Sequence, residues 1–84
     1  MNIEIEVLAV LDETLSLQGR SSTFTGNTPL LGSLPEFDSM AVMTVITSIE
    51  DRFDITVEDD ELDADVFETV GSLTRFVDAK LAEA

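Results

Sequence analysis

With 84 residues, no cysteine and no histidine, the chain has no disulfide framework, no thiol of its own and no imidazole to serve as proton shuttle, Ser-His base or metal ligand. Its net charge of −14, from 18 acidic residues against Arg20, Arg52, Arg75 and Lys80, repels nucleic-acid phosphates and anionic lipid and favours basic protein surfaces. A self-contained hydrolase, a zinc enzyme and a nucleic-acid binder are poor fits, whereas 44% hydrophobic residues suffice for one small domain, residues 1–84, with a thin core.

The start, Met1-Asn2-Ile3-Glu4, carries neither a basic segment nor an apolar run of the secretory kind, and no stretch is long and apolar enough to cross a bilayer. A soluble, cytoplasmic, monomeric protein without membrane contact is expected. Ile3, Val7, Leu8, Leu11 and Leu15 share one helical face and predict a first helix over about residues 2–17, with Glu4, Glu6, Asp12 and Glu13 on other faces. Residues 18–38 then read as a long loop, with Gly19, Gly26, Gly32, Pro29 and Pro35 among serines and threonines. Leu30, Leu31 and Leu34 are expected to anchor it on the core, and Pro35 delays the next helix to Phe37 or Asp38.

The second helix is predicted from Ser39 to about Arg52, where Val42, Val45, Ile46, Ile49 and Phe53 form a buried stripe. Met40 and Met43 lie beside it, equally suited to filling the core or to contacting a partner. Asp54 breaks the pattern, Ile55 and Val57 look like anchors, and an acidic run from Glu58 to Asp65 follows. A short helix is expected near residues 59–64, with Leu62 pointing inward. The run fails as an EF-hand loop, because Ala64 and Val70 stand where Gly and Glu are needed, so it is read as solvated charge and no metal site is assigned. Thr69 suits the cap of a last helix whose apolar face is Val70, Leu73, Phe76, Val77 and Leu81. The expected fold is all-α: a small irregular antiparallel four-helix bundle, three helices long and one short, with a long first loop.

Ser39 stands where that loop turns into an amphipathic helix. A helix start presents unpaired N–H groups and the positive end of the helix dipole, a ready place for a phosphate. A plain N-cap is the commoner reason for such a residue, and Asp38 and Ser39 are both good caps.

The surrounding pattern resembles the acyl carrier protein family over essentially the whole chain. Thr28-Pro29-Leu30 in the loop, Asp38-Ser39-Met40 at the second helix, Ile49-Glu50-Asp51-Arg52-Phe53-Asp54-Ile55 at its end and Phe67-Glu68-Thr69-Val70-Gly71-Ser72-Leu73 before the last helix carry the resemblance. The family normally has Leu where Met40 stands, a volume-conserving change. The resemblance implies that a phosphopantetheinyl transferase esterifies Ser39, flanked by Asp38, with 4′-phosphopantetheine from coenzyme A. That group would supply the thiol the chain lacks, and acyl groups would ride on it as thioesters. The chain would then be a non-catalytic carrier that presents its cargo to partner enzymes. With no histidine, Ser39 has no base of its own, so activation must come from the modifying enzyme.

Residues 31–42, Leu31-Gly32-Ser33-Leu34-Pro35-Glu36-Phe37-Asp38-Ser39-Met40-Ala41-Val42, are similar to carriers associated with exosortase-type exopolysaccharide clusters. This implies loading by an AMP-forming acyl ligase. Fatty acid synthesis carriers have a strongly acidic second helix, whereas Ala41, Thr44, Thr47 and Ser48 occupy its early and middle turns here and only Glu50 and Asp51 match. Acyl-transfer partners with basic docking surfaces are expected to read the rim formed by Asp38, Met40, Met43, Glu50 and Asp51. Two alternatives stay open at this level. One is an aminoacyl or peptidyl carrier of the same fold, and the other is an acidic helical binding or inhibitor protein in which Ser39 is only a cap.

The interval from Glu50 to Asp65 sets nine acids against Arg52 alone, a self-repulsion that opposes compaction. The melting temperature should therefore rise with NaCl and with millimolar Mg²⁺ or Ca²⁺ in a thermal denaturation series. A flat response to both would mean the charges are already well dispersed.

Overall fold

The first helix, α1 (Ile3–Leu15), begins where Asn2 accepts a hydrogen bond from the Ile5 amide through its side chain. It ends where Ser16 turns into the left-handed region at φ 55°. The Ser16 and Leu17 amides both return to the Asp12 carbonyl, and this reversal drives Leu17 into the core, fully buried. The computed structural model describes residues 2–30 and 37–83, and two further α-helices complete its framework: α2 (Ser39–Phe53) and α3 (Val70–Glu83). The end of α2 repeats the device of α1. Asp54 is left-handed at φ 54°, its amide and that of Ile55 return to the Glu50 carbonyl, and Ile55 is buried.

Helix α1 is the central element, packing against both α2 and α3. Val7, Val10, Leu11 and Leu15 from α1 meet Val45, Ile46, Ile49 and Phe53 from α2 and Val70, Leu73 and Val77 from α3 in one core. Val10 joins this core although the apolar spacing did not single it out, and Ile3 and Leu8 are partly buried at its edge. Arg52 of α2 reaches back to α1, with Nε 2.8 Å from Glu6 and a longer contact of 3.6 Å to Glu13. All three side chains are partly exposed, so solvent screening leaves these pairs a minor contribution.

The first connection is more ordered than its composition suggests. A 3₁₀ turn spans Arg20–Thr23, and the Asp12 carboxylate organises it by accepting from the Gly19 amide, the Ser21 amide and the Ser21 hydroxyl, the last at 2.7 Å. The Ser21 hydroxyl above all, and then the Gly19 amide, hold the Asp12 carboxyl below the usual carboxylate range. Leu30 is fully buried, the anchor the sequence predicts, while Leu31 and Leu34 lie outside the described residues.

Beyond α2 the expected short helix over residues 59–64 contracts to a single 3₁₀ turn, Asp59–Glu61. The all-α framework thus comprises three α-helices and two 3₁₀ turns among the described residues, and the short fourth element of the expected bundle takes the form of a 3₁₀ turn. A run this rich in like charges has no apolar repeat to stabilise an α-helix, and its backbone closes i to i+3 turns instead, at Glu61, Val66, Phe67 and Glu68. Leu62 is partly buried against the core as expected.

The loop and α3 meet closely. The first two amides of α3, from Val70 and Gly71, donate to the carbonyls of Thr28 (3.0 Å) and Gly26 (2.8 Å), and the third, from Ser72, donates to the Thr69 hydroxyl. Ser72 reciprocates by accepting from the Thr69 amide, a capping box with Ser in place of Glu, so Thr69 is the cap the sequence predicts. An isolated bridge joins Pro29 to Thr69, and the Leu30 amide donates to the Glu68 carbonyl.

This approach has no room for a side chain at Gly71, where a Cβ would stand 2.8 Å from the Gly26 carbonyl oxygen. Gly71→Ala should destabilise the fold by roughly 1–3 kcal/mol, the usual cost of overpacking. Gly26→Ala should cost clearly less, because its Cβ would make ordinary contacts at 3.6 Å or more. Urea denaturation of both variants checks this, and equal losses would contradict it.

Candidate functional site

Helix α2 opens differently from α3. Asp38 is its cap: the backbone there is extended, the side-chain Oδ1 accepts from the Ala41 amide at 2.8 Å, and the carbonyl accepts from Val42. The cap role that Asp38 and Ser39 could each have filled therefore falls to Asp38. Ser39 is the first helical residue, and its side chain is exposed. Among the described residues its hydroxyl has no hydrogen-bond partner, and neither the Ser39 nor the Met40 amide has an acceptor. Two backbone donors and the positive end of a 15-residue helix thus point into solvent beside a free hydroxyl.

Phe37 fixes the start of this helix. It is buried immediately before the cap, and its ring lies 5.6 Å from that of Phe67 at 53°. Phe67 also lines an open groove of about 310 Å³ together with Ser39 and Val42 on the α2 side and Leu62, Asp63 and Ala64 on the other. An exposed serine, an amide pair and a mostly apolar groove therefore adjoin one another.

The other residues singled out by the sequence distribute along α2. Met40 is 80% exposed and Met43 53% exposed, so neither fills the core. Together with Thr44, Thr47 and Asp51 they form the outward stripe, with the spacing of one helical face. The Thr44 and Thr47 hydroxyls donate to the carbonyls of Met40 and Met43 in the preceding turn. Asp51 is exposed at the far end, about 18 Å from Ser39 at the rise of an α-helix. Glu50 is half-buried, and its carboxylate accepts from the Val57 amide at 2.8 Å, holding the chain that leaves α2. Asp38, Ser39, Met40 and Met43 are thus brought together, while Glu50 and Asp51 stand apart from them and Glu50 also has structural work.

Sequence reasoning placed Leu62 inward but did not identify the groove that it lines with Ala64 and Phe67, or the anchor Phe37. Phe37 carried a usable signal as an apolar residue directly before a capping aspartate. The groove carried none, because its apolar residues follow no single period.

Comparison with known proteins identifies the family. The family model described as the phosphopantetheine attachment site matches residues 6–77. Over 44 residues the chain is 43% identical to an acyl carrier protein of an Exiguobacterium species and 36% identical to one of Exiguobacterium sibiricum, in each case over 52% of this chain and 53% of the relative. The chain thus spans about half the length of the curated relatives it matches. The solution NMR structure of a holo acyl carrier protein from Nitrosomonas europaea superposes with a TM-score of 0.90 at 48% identity, covering 98% of this chain and 99% of that one. With three helices arranged as in that protein and a phosphopantetheine attachment domain across most of its length, the chain belongs to the acyl carrier protein family.

Proposed function

We propose that this protein is a carrier whose Ser39 receives 4′-phosphopantetheine from coenzyme A through a phosphopantetheinyl transferase, and that residues 1–84 act as one carrier unit. The observation that carries the reading is the exposed Ser39 hydroxyl at the open start of α2, next to unpaired Ser39 and Met40 amides. Those amides suit a phosphodiester on Ser39, because they donate to anionic oxygens and the helix dipole favours negative charge. Asp38 works against this with its own charge, and committing one carboxylate oxygen to the Ala41 amide ties that charge to the helix start. When bound, the group supplies a terminal thiol on a flexible arm, on which acyl groups are held as thioesters. The chain's own part is to hold Ser39 outward and rigid, by the Asp38 cap and the buried Phe37, and to leave its deprotonation to the modifying enzyme.

The groove beside Ser39 supports acyl cargo over aminoacyl cargo, since Val42, Leu62, Ala64 and Phe67 give it an apolar lining. The narrower reading, a carrier loaded by an AMP-forming acyl ligase in an exopolysaccharide-type pathway, rests on the sequence of residues 31–42 and on the absence of acids in the early turns of α2. Among the described residues no helix is long and apolar enough to cross a membrane.

Docking is assigned to the outward stripe of α2, which also presents Ser39. Near Ser39 the contact is apolar, through Met40 and Met43, and toward the far end it is electrostatic, through Asp51 and the partly engaged Glu50. A partner with an apolar pocket flanked by basic residues fits that sequence of surfaces.

Intact mass after incubation with coenzyme A and a transferase tests the attachment. The wild type should gain one pantetheine adduct, and Ser39→Ala should gain none while keeping its stability within about 0.5 kcal/mol, because the cap is Asp38. An adduct on the alanine variant would overturn the assignment.

Docking has its own test in stopped-flow kinetics with the cognate ligase. Asp51→Lys should slow association at low salt by up to about tenfold, with the effect disappearing at high salt. Met43→Ala, on an exposed side chain, should instead speed dissociation. If neither variant changes the kinetics, the docking surface lies elsewhere on the molecule.

A further inference from the structure

The outer wall of the groove rests on the core through Leu62, Val66 and Phe67, but few polar contacts tie it to the other elements. Between Glu58 and Phe67 the backbone hydrogen bonds, at Glu61, Val66 and Phe67, all run to residues three positions away within the segment. Among the described residues, polar tethers come from three side chains. Glu50 holds the Val57 amide just before the segment, the Ser72 hydroxyl donates to the Val66 carbonyl near its end, and Lys80 of α3 reaches its middle. Lys80 Nζ donates to both oxygens of Glu61, at 2.7 and 3.0 Å, and its side chain is only 14% exposed. Glu61 Oε1 also accepts from the Glu58 amide at 2.9 Å, so one carboxylate closes the 3₁₀ turn and joins that turn to α3. Leu62, the next residue, lines the groove.

The charge setting gives this pair its weight. The sequence from Glu58 to Asp65 contains six acids and no base, and Lys80 is the cation paired to it among the described residues. Self-repulsion pushes such a segment away from the acidic body of the protein, and a single partly buried cation opposes it.

We infer that the Glu61–Lys80 pair is a latch that holds the Leu62–Phe67 wall against α2 and so sets how readily the groove beside Ser39 opens. With the pair formed, Leu62 and Phe67 stay packed and the groove keeps its apolar lining. With it broken, the acidic segment swings outward more often and water enters beside Ser39. The consequence for cargo, exposure of an acyl chain lodged there, rests on the proposed carrier function. The latch itself does not, and the unmodified protein tests it.

Amide hydrogen exchange resolved by NMR provides the test, read at Glu61, Val66 and Phe67 and, as reference, at Val10 and Leu11 of α1. Lys80→Gln and Glu61→Gln should each speed exchange in the segment by roughly two- to fivefold, the factor a partly exposed ion pair is worth, with the α1 amides unchanged. The double variant should show no more than the larger single effect. Arg75→Gln removes the same unit of charge from an exposed position on α3 and should leave the segment as in the wild type. The latch is refuted if Lys80→Gln behaves like Arg75→Gln, or if exchange rises uniformly through α1, since that would be a general loss of stability. Failure of Ser39 to accept pantetheine would remove the consequence for cargo and leave the exchange result standing.

Discussion

The carbonyls of Gly26 and Thr28 in the first connection take the first two amides of α3, and the contact is close enough that Gly71 must lack a side chain. Much of the architecture depends on this seam. It pins a long, apolar-poor loop to the helix that closes the core, and it sets the fully buried Leu30 beneath it. With Thr69 and Ser72 capping each other, the start of α3 is sealed. In a domain this small, with a correspondingly thin core, backbone hydrogen bonds that lock a loop in place carry a large share of the order.

The three helix starts show how the same local chemistry is put to different ends. The start of α1 is capped by Asn2 and flanked by Glu4 and Glu6, whose negative charge complements the dipole. The loop consumes the start of α3. At α2, Asp38 takes one amide while those of Ser39 and Met40 stay unpaired, and the first turn carries no acid. In a chain of net charge −14, this start offers an added phosphate two unpaired amides, while one oxygen of the neighbouring Asp38 carboxylate is engaged by the Ala41 amide. The outward stripe that runs from it, Met40, Met43, Thr44 and Thr47, is also uncharged until Asp51.

Much of this was legible in the sequence because periodicity reports burial directly. The stripes of α1, α2 and α3 emerge with boundaries close to those observed, and Leu30, Ile55 and Val57 are buried as their isolation between polar residues suggests. The choice between Asp38 and Ser39 as cap could not be read, because both residue types cap helices well and only the backbone decides which residue enters the helix first. The exposure of Met40 and Met43 was partly legible: their spacing to Thr44, Thr47 and Asp51 puts them on a polar face, but methionine itself is uninformative about burial. The turn at Arg20–Thr23 was hidden because its organiser, Asp12, is on the preceding helix. The short fourth element was legible in place but not in form, because an acidic run without an apolar repeat closes i to i+3 turns where a helix over residues 59–64 was expected.

The central claim is that the open amides of α2, rather than those of the sealed α3, receive the phosphate. Proton–nitrogen correlation spectra of the ¹⁵N-labelled protein, taken before and after pantetheinylation, test it most directly. The account predicts that the largest amide shifts fall on Ser39 and Met40, while Val70 and Gly71, already bonded to Thr28 and Gly26, stay in place. Modification that leaves Ser39 and Met40 unmoved, or that displaces Val70 and Gly71 instead, would contradict it.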